Sequence, residues 1–246
     1  MQPAEYHNLA AVERSHWWHT GLAAIAAEWL RRLPGDPVRA RVLDAGCGTG
    51  GALRWLSEFG SAWGAERHPL AIDLAVQSMG RKMVRADVAA LPFRSGGFSI
   101  LTAFDVLYHQ DIVDDVAVLR EFARVLKPGG WLLVRVPAYD WLRGAHDEAV
   151  QTRQRYTRGE VRHKLLCAGL KPLRVTYINT LFFIPALLWR TGQRLVGRRP
   201  VSDVRPSPPW VNRLLTVVLR LECVWLRLAN LPVGLSVLAL AQKGGR

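Results

Sequence analysis

The sequence predicts an α/β fold, a mostly parallel sheet with helices on both faces, and three observations predict it. Between residues 41 and 136 short apolar runs alternate with helical patterns, which implies parallel strands joined by crossover helices. The string RVLDAGCGTG at 41–50 sets a strand directly against a glycine turn. The length of 246 residues suits one α/β domain with a large buried core.

Taken in order, a helical segment over about 4–33 ends at the breaker Leu33-Pro34-Gly35-Asp36-Pro37. Val42 and Leu43 read as a buried strand with Asp44 at its carboxyl end. Gly46, Gly48 and Gly50 follow at alternate positions, a turn without Cβ atoms through which backbone N–H groups can reach a ligand, before a helix at 52–58. A second short strand at 62–65 delivers Glu66, 20 residues after Gly46, where a carboxylate would accept hydrogen bonds from both hydroxyls of a ribose. A third strand at 82–86 is closed by Asp87, which is placed to accept the exocyclic amine of an adenine. Strands at 171–178 and 236–242 complete a seven-stranded sheet, with an insertion of about fifty residues between them.

Glycine turn and carboxylates thus occur in the order a nucleoside requires. The strings DAGCGTG, GAE, RADVAALPF, LTAFDVLYH and ARVLKPGGWLLVRVP resemble the successive motifs of class I S-adenosylmethionine-dependent methyltransferases over roughly residues 40–137. Lys127, Pro128, Gly129 and Gly130 match the turn which that family places before its fifth strand. The opening YHNLAAVERSHWW is similar to the N-terminal segment of a bacterial small-molecule subgroup.

The resemblance implies a Rossmann-like fold and S-adenosyl-L-methionine as cofactor. It assigns cofactor binding to Asp44, Gly46, Cys47, Gly48, Glu66, Arg67, Asp87, Val88 and Phe104. It also divides the chain into an N-terminal helical lid (1–37), a cofactor-binding core (38–178), an apolar helical insertion (179–234) and a last strand with tail (235–246), one domain overall.

The acceptor is less legible. Tyr6, His16, Trp17 and Trp18 lie on the N-terminal segment, which in related enzymes folds over the cofactor and would exclude water; alternatively the two tryptophans only anchor a helix on the sheet. Tyr108 follows the fourth strand, and Tyr139, Trp141 and Tyr156 follow the fifth, at the carboxyl edge where α/β sheets bind ligands. Together Tyr6, Trp17, Trp18, Tyr108, Tyr139, Trp141 and Tyr156 form the expected acceptor-binding set. His109 is the best-placed general base, a role needed only for a hydroxyl or an acidic C–H acceptor. Arg153 and Arg155 are candidates for a phosphate or carboxylate on the acceptor. His146-Asp147 is too little for a metal shell, and no metal is expected.

Lysine and arginine total 33 against 20 acidic residues, a net charge of +13. Such a surface suits anionic lipid, nucleic acid or a phosphorylated substrate, or reflects a compositional preference for arginine, since only five of the basic residues are lysine. The segment FDVLYHQ lacks the Asn/Asp-Pro-Pro-aromatic string of many amino-methylating nucleic-acid enzymes, and no Pro-Cys pair occurs, which argues against a nucleic-acid target. Three scattered cysteines, Cys47, Cys167 and Cys223, and the absence of a basic-then-apolar start suggest a reducing cytosol.

The apolar run 181–189 is too short to span a bilayer and contains Pro185. In the following helical stretch Arg213, Arg220 and Arg227 recur every seven residues among Leu, Val and Trp. An apolar face this wide packs on the domain, pairs with a second copy, or lies at a membrane surface through the 181–230 helices. The reading is a methyltransferase for a hydrophobic small-molecule or lipid-like acceptor. Two alternatives are an enzyme coupling methylation to polyene cyclisation and a non-catalytic scaffold of the same fold.

Overall fold

A computed structural model describes residues 3–34, 40–79, 82–196 and 208–245. The Pro-rich loop read at 198–209 lies almost wholly outside the described residues. Two helices, α1 (Pro3–Val12) and α2 (Trp17–Leu30), precede β1 (Arg41–Ala45), α3 (Gly51–Leu56), β2 (Ser61–Glu66), α4 (Pro69–Met79), β3 (Met83–Arg85) and β4 (Phe98–Phe104). Then come α5 (Asp115–Val125), β5 (Leu126–Pro137), α6 (Ala145–Ala149), α7 (Arg158–Cys167), β6 (Leu170–Ile178), α8 (Phe183–Val196), α9 (Pro209–Leu228) and β7 (Ser236–Lys243).

The seven strands form one sheet in the order β3-β2-β1-β4-β5-β7-β6. β1 to β5 run parallel, and β7 enters antiparallel between β5 and β6. Strand order reverses beside β1 and β4, and the carboxyl ends of these strands open a crevice there.

Successive strand residues face opposite layers, as a pleated strand requires. Leu43, Leu101, Leu132 and Ala239 pack with Val118, Leu119 and Phe122 of α5 and Val161 and Leu165 of α7. Their neighbours Val42, Ile100, Leu133 and Leu238 pack on the other face with Leu22, Ile25 and Trp29 of α2 and Leu226 of α9. Every one of these strand positions is buried, so the near-continuous apolar strands of a two-faced sheet are explained.

The insertion is therefore partly core. α9 lies along α2 so closely that a Cβ on Gly21 would overlap the Leu219 side chain. Polar bonds reinforce the contact: Asn212 accepts from Trp17 N at 2.6 Å, and Arg227 pairs with Glu28 at 3.0 Å. The buried Glu222 carboxylate accepts from the backbone N–H of Asn179 and Thr180 at 2.5 and 2.9 Å, tying α9 to the end of β6. Of the three placements read for the insertion, packing on the domain thus accounts for one face of α9, that of Leu219, Glu222 and Leu226.

Two local expectations shift. The helix read at 52–58 runs as α3 followed by a tight turn at Ser57–Phe59. Lys127 to Gly130 do not precede β5 but loop out of it, since Phe98 pairs with Leu126 and Ile100 already with Trp131. Gly129, at φ 72°, permits that excursion.

Candidate functional site

The crevice holds a cleft of about 1100 Å³, more than the 300–1,000 Å³ typical of a single ligand pocket. Its floor is the glycine turn. Gly46, Gly48 and Gly50 have φ of 75°, 54° and 86°, values a side chain disfavours. Gly46 has a second constraint, because a Cβ there would run into Val106. Its N–H and that of Cys47 bond to Ala65 O at 2.7 and 3.1 Å, which fastens the turn to the end of β2.

Asp44 is buried at the end of β1, where Thr102, its partner across the β1–β4 register, donates Oγ1–H to Asp44 Oδ1 at 2.6 Å. Burial pushes the Asp44 carboxyl up to about 7, against the lowering pull of the Thr102 bond and of the Arg135 charge. At the end of β2, Glu66 Oε2 accepts from Gly48 N at 2.9 Å, while Oε1 accepts from Arg67 N and His68 N at 2.8 and 2.9 Å. Asp87 caps its own turn by accepting from Ala89 N at 2.9 Å. Arg67 bridges toward both acidic neighbours, 3.9 Å from Asp87 and 3.0 Å from Asp111.

The cleft therefore gathers Asp44, Gly46, Cys47, Gly48, Glu66, Arg67, Asp87, Val88 and Phe104. Cys47 contributes backbone and bulk: its thiol touches Met83 Sδ at 3.7 Å, and burial raises its pKa, which leaves it unreactive. Seven acidic residues (Glu13, Asp44, Glu58, Glu66, Asp87, Asp105, Asp111) line the cleft against five arginines. The local balance is negative in a strongly positive protein, an environment that favours a cationic ligand.

Of the residues expected at the acceptor, Tyr6, Trp18, Tyr108 and His109 line the same cleft. Tyr6 stacks on His68 with ring centres 4.5 Å apart, so α1 leans over the Glu66 side of the glycine turn. His109 Nδ1 accepts weakly from Asp111 N at 3.3 Å, and burial lowers its pKa, keeping the imidazole neutral near pH 7. Tyr108 is buried and its hydroxyl pKa is raised by that burial.

The other four are placed elsewhere. Trp17 packs on Phe182 at 4.8 Å, on the α9 side of α2. Tyr139 stacks on Tyr177 at 5.0 Å and neighbours the exposed Trp141 at 5.4 Å. Tyr156 is buried, its hydroxyl donating to Leu107 O at 2.8 Å and Asp115 Oδ2 at 3.0 Å. Among the described residues none of these four lines the cleft.

The two arginines proposed for an acceptor anion are likewise used internally. Arg155 grips Asp147 through two bonds of 2.7 and 2.9 Å, and Arg153 pairs with buried Asp115. This corrects the reading of Arg153 and Arg155 as anion binders and gives Asp147 its ion-pair role. Among the described residues no group of three metal-ligating side chains converges.

Among the cleft residues that the sequence did not single out are Glu13, Asp105, Arg135 and Trp55. Glu13, in the turn after α1, accepts from Thr49 Oγ1 at 2.8 Å. Asp105, at φ 56°, pairs with Arg135 at 2.5 Å, and the Arg135 guanidinium lies 5.1 Å over the Phe104 ring. Trp55 faces Phe104 at 6.0 Å. Only Asp105 carried a signal, since it directly follows β4; the others arrive through distant pairing.

Residues 43–134 match the family described as Methyltransferase domain. A ubiquinone biosynthesis O-methyltransferase of Bordetella avium (strain 197N) is 30% identical over 153 residues, covering 54% of this chain and 60% of that protein. The sterol 24-C-methyltransferase erg-4 of Neurospora crassa is 32% identical over 180 residues, 69% of this chain and 44% of that protein. The chain thus spans less than two thirds of the length of these relatives.

Among solved structures, the cyclase SpnF superposes with a TM-score of 0.63 at 18% identity, over 99% of this chain and 93% of that one. Haemonchus contortus phosphoethanolamine N-methyltransferase 2, solved with S-adenosyl-L-methionine, gives 0.57 at 17% identity, over 99% and 60%. These likenesses carry the fold.

Residues 43–134 are thus a methyltransferase domain, and the sheet around them has the fold of class I S-adenosylmethionine-dependent methyltransferases. Its cofactor is S-adenosyl-L-methionine. The cleft fits that group: His68 Nδ1 is buried there without a hydrogen-bond partner among the described residues, and the glycine turn leaves room for close approach.

Proposed function

We propose that the protein methylates a small-molecule or lipid-like acceptor with a large apolar part, and that Asp44, Gly46, Gly48, Glu66, Asp87 and the main chain at Val88 and Phe104 hold the cofactor. The observation that carries this reading is the size and lining of the one cleft around the glycine turn. The cleft measures about 1100 Å³, and beyond the carboxylates its wall includes Trp18, Trp55, Phe104, Val106, Ile112 and Val150, an apolar surface beside the glycine turn.

Bound S-adenosyl-L-methionine supplies an electrophilic methyl group on a sulfonium. The chain's part is to position the acceptor, since holding a nucleophile in line with an electrophilic carbon can supply much of the acceleration. Trp18 and α1 exclude water from the cleft. His109, neutral at physiological pH, takes the proton where the acceptor is a hydroxyl. The sterol and ubiquinone activities in the relatives' names are consistent with apolar acceptors.

Titration calorimetry with S-adenosylmethionine and S-adenosylhomocysteine, on the native protein and on Glu66→Ala and Asp87→Ala, tests the cofactor half. Binding lost in both variants with the fold intact is the expected result. The acceptor half is tested by screening apolar quinols, phenols and sterols for a one-methyl mass gain; turnover restricted to small charged acceptors would overturn it.

A further inference from the structure

Eleven of the sixteen large hydrophobic side chains that stand exposed among the described residues fall between Leu181 and Leu228. On α9 they form one line. Trp210, Leu214, Val217, Leu221, Val224 and Leu228 are 48–85% exposed and recur at alternating steps of four and three, which places them on a single helix face. This face is separate from the one Leu219, Glu222 and Leu226 bury against the domain.

Charge decides what covers it. Arg213 and Arg220 flank the apolar line on one side and are exposed; Arg227, in the same row, pairs with Glu28. The other flank is Val211, Val218 and Trp225, and the only acidic residue of the helix, Glu222, is buried at the sheet. A second copy seated on this line would bring arginines and no exposed carboxylate from its own α9, whereas paired helices of this spacing ordinarily match opposite charges across the seam. The stretch 181–230 carries eight arginines against two acidic residues. An apolar stripe bearing two exposed tryptophans and edged only by arginine is complementary to a negatively charged apolar surface.

We infer that the exposed face of α9 is a docking surface for an anionic lipid bilayer, its Leu and Val side chains entering the acyl boundary and Arg213 and Arg220 meeting the headgroups. No helix among the described residues is long and apolar enough to cross a membrane, so the contact lies in the plane of the interface. The inference stands apart from the proposed acceptor, because it concerns binding and not turnover.

The test is co-sedimentation of the full chain with phosphatidylcholine vesicles and with vesicles in which about one third of the lipid is phosphatidylglycerol, at low and high salt. Expected is binding to the anionic vesicles that falls by roughly tenfold or more in R213A/R220A and in Leu221→Glu, and that weakens with salt. S-adenosylhomocysteine affinity serves as the fold control in both variants, since neither alters a residue of the cleft. Equal binding to neutral vesicles, no binding to anionic ones at low salt, or a stable dimer abolished by Leu221→Glu would each overturn the inference.

Discussion

Glu13 and Thr49 meet across 36 positions of chain, Thr49 Oγ1 donating to Glu13 Oε2 at 2.8 Å beside the glycine turn. A Cβ on Gly51 would overlap the same carboxylate, so the turn after α1 is seated directly on the loop that begins α3. The N-terminal helix α1 thus has a specific fastening to the glycine turn.

Glu13→Ala is expected to release it. Hydrogen bonds to charged groups contribute about 1.5–3 kcal/mol when buried, and Glu13 is partly buried. Amide exchange over α1 should quicken, and S-adenosylhomocysteine should dissociate faster, with the midpoint of global unfolding little changed. Exchange over α1 identical to the native protein would remove the fastening role.

Asp44 carries a pH prediction. Its folded pKa, about 7, lies above the ordinary 3.8, so the native state holds the proton more tightly than the unfolded chain. The stabilisation is full below about pH 4 and disappears as pH rises through 7, a loss of about 4 kcal/mol. Asp44→Asn keeps an acceptor for Thr102 and removes the titration. The ligand-free variant should therefore be more stable than the native protein at pH 8, by a margin that closes toward pH 4, while losing cofactor affinity. Thermal melts from pH 4 to 8 with parallel pH dependence in both proteins would contradict this.

For His109 the lowered pKa places the acid limb of kcat/KM below the ordinary histidine value of 6.5. His109→Ala should abolish that limb and reduce turnover of a hydroxyl acceptor by about 10²–10⁴-fold. Full turnover across the pH range in the variant would show that positioning suffices.

Tyr156 separates packing from recognition. Its hydroxyl joins Gln154, Arg153 and Lys164 around the buried Asp115 carboxylate. Tyr156→Phe should cost about 1–3 kcal/mol of stability, as for one unpaired buried partner, and leave KM for the acceptor unchanged; Asp115→Ala should cost about 3–5 kcal/mol. A raised KM without lost stability in Tyr156→Phe would return the residue to the acceptor site.

These contrasts mark where the sequence was readable. Asp44, Glu66 and Asp87 end strands that follow local patterns, so their convergence follows from parallel strands sharing one carboxyl edge. Local pattern could not distinguish Tyr156 from Tyr108, because both are aromatic residues in loops at that edge, both become buried, and only tertiary packing sets Tyr108 on the cleft wall and Tyr156 over Asp115. Thr102 and Glu13 were invisible for a related reason: their partners, Asp44 and Thr49, are fixed by register and docking over long separations. The two-sided character of α9 was half legible, its apolar excess evident but not which stripe the domain would take.

The placement of β7 has a consequence for how the chain is made. β7 separates β5 from β6, so a chain growing from its N-terminus leaves both strand edges unpaired until everything from Asn179 to Leu235 has been synthesised. Exposed edges of that kind invite pairing between neighbouring chains. β6 carries Lys171, Pro172 and Arg174 around a register shift, features that blunt an edge during the wait. Completion of the sheet therefore waits on the last strand of the chain, which closes both edges at once.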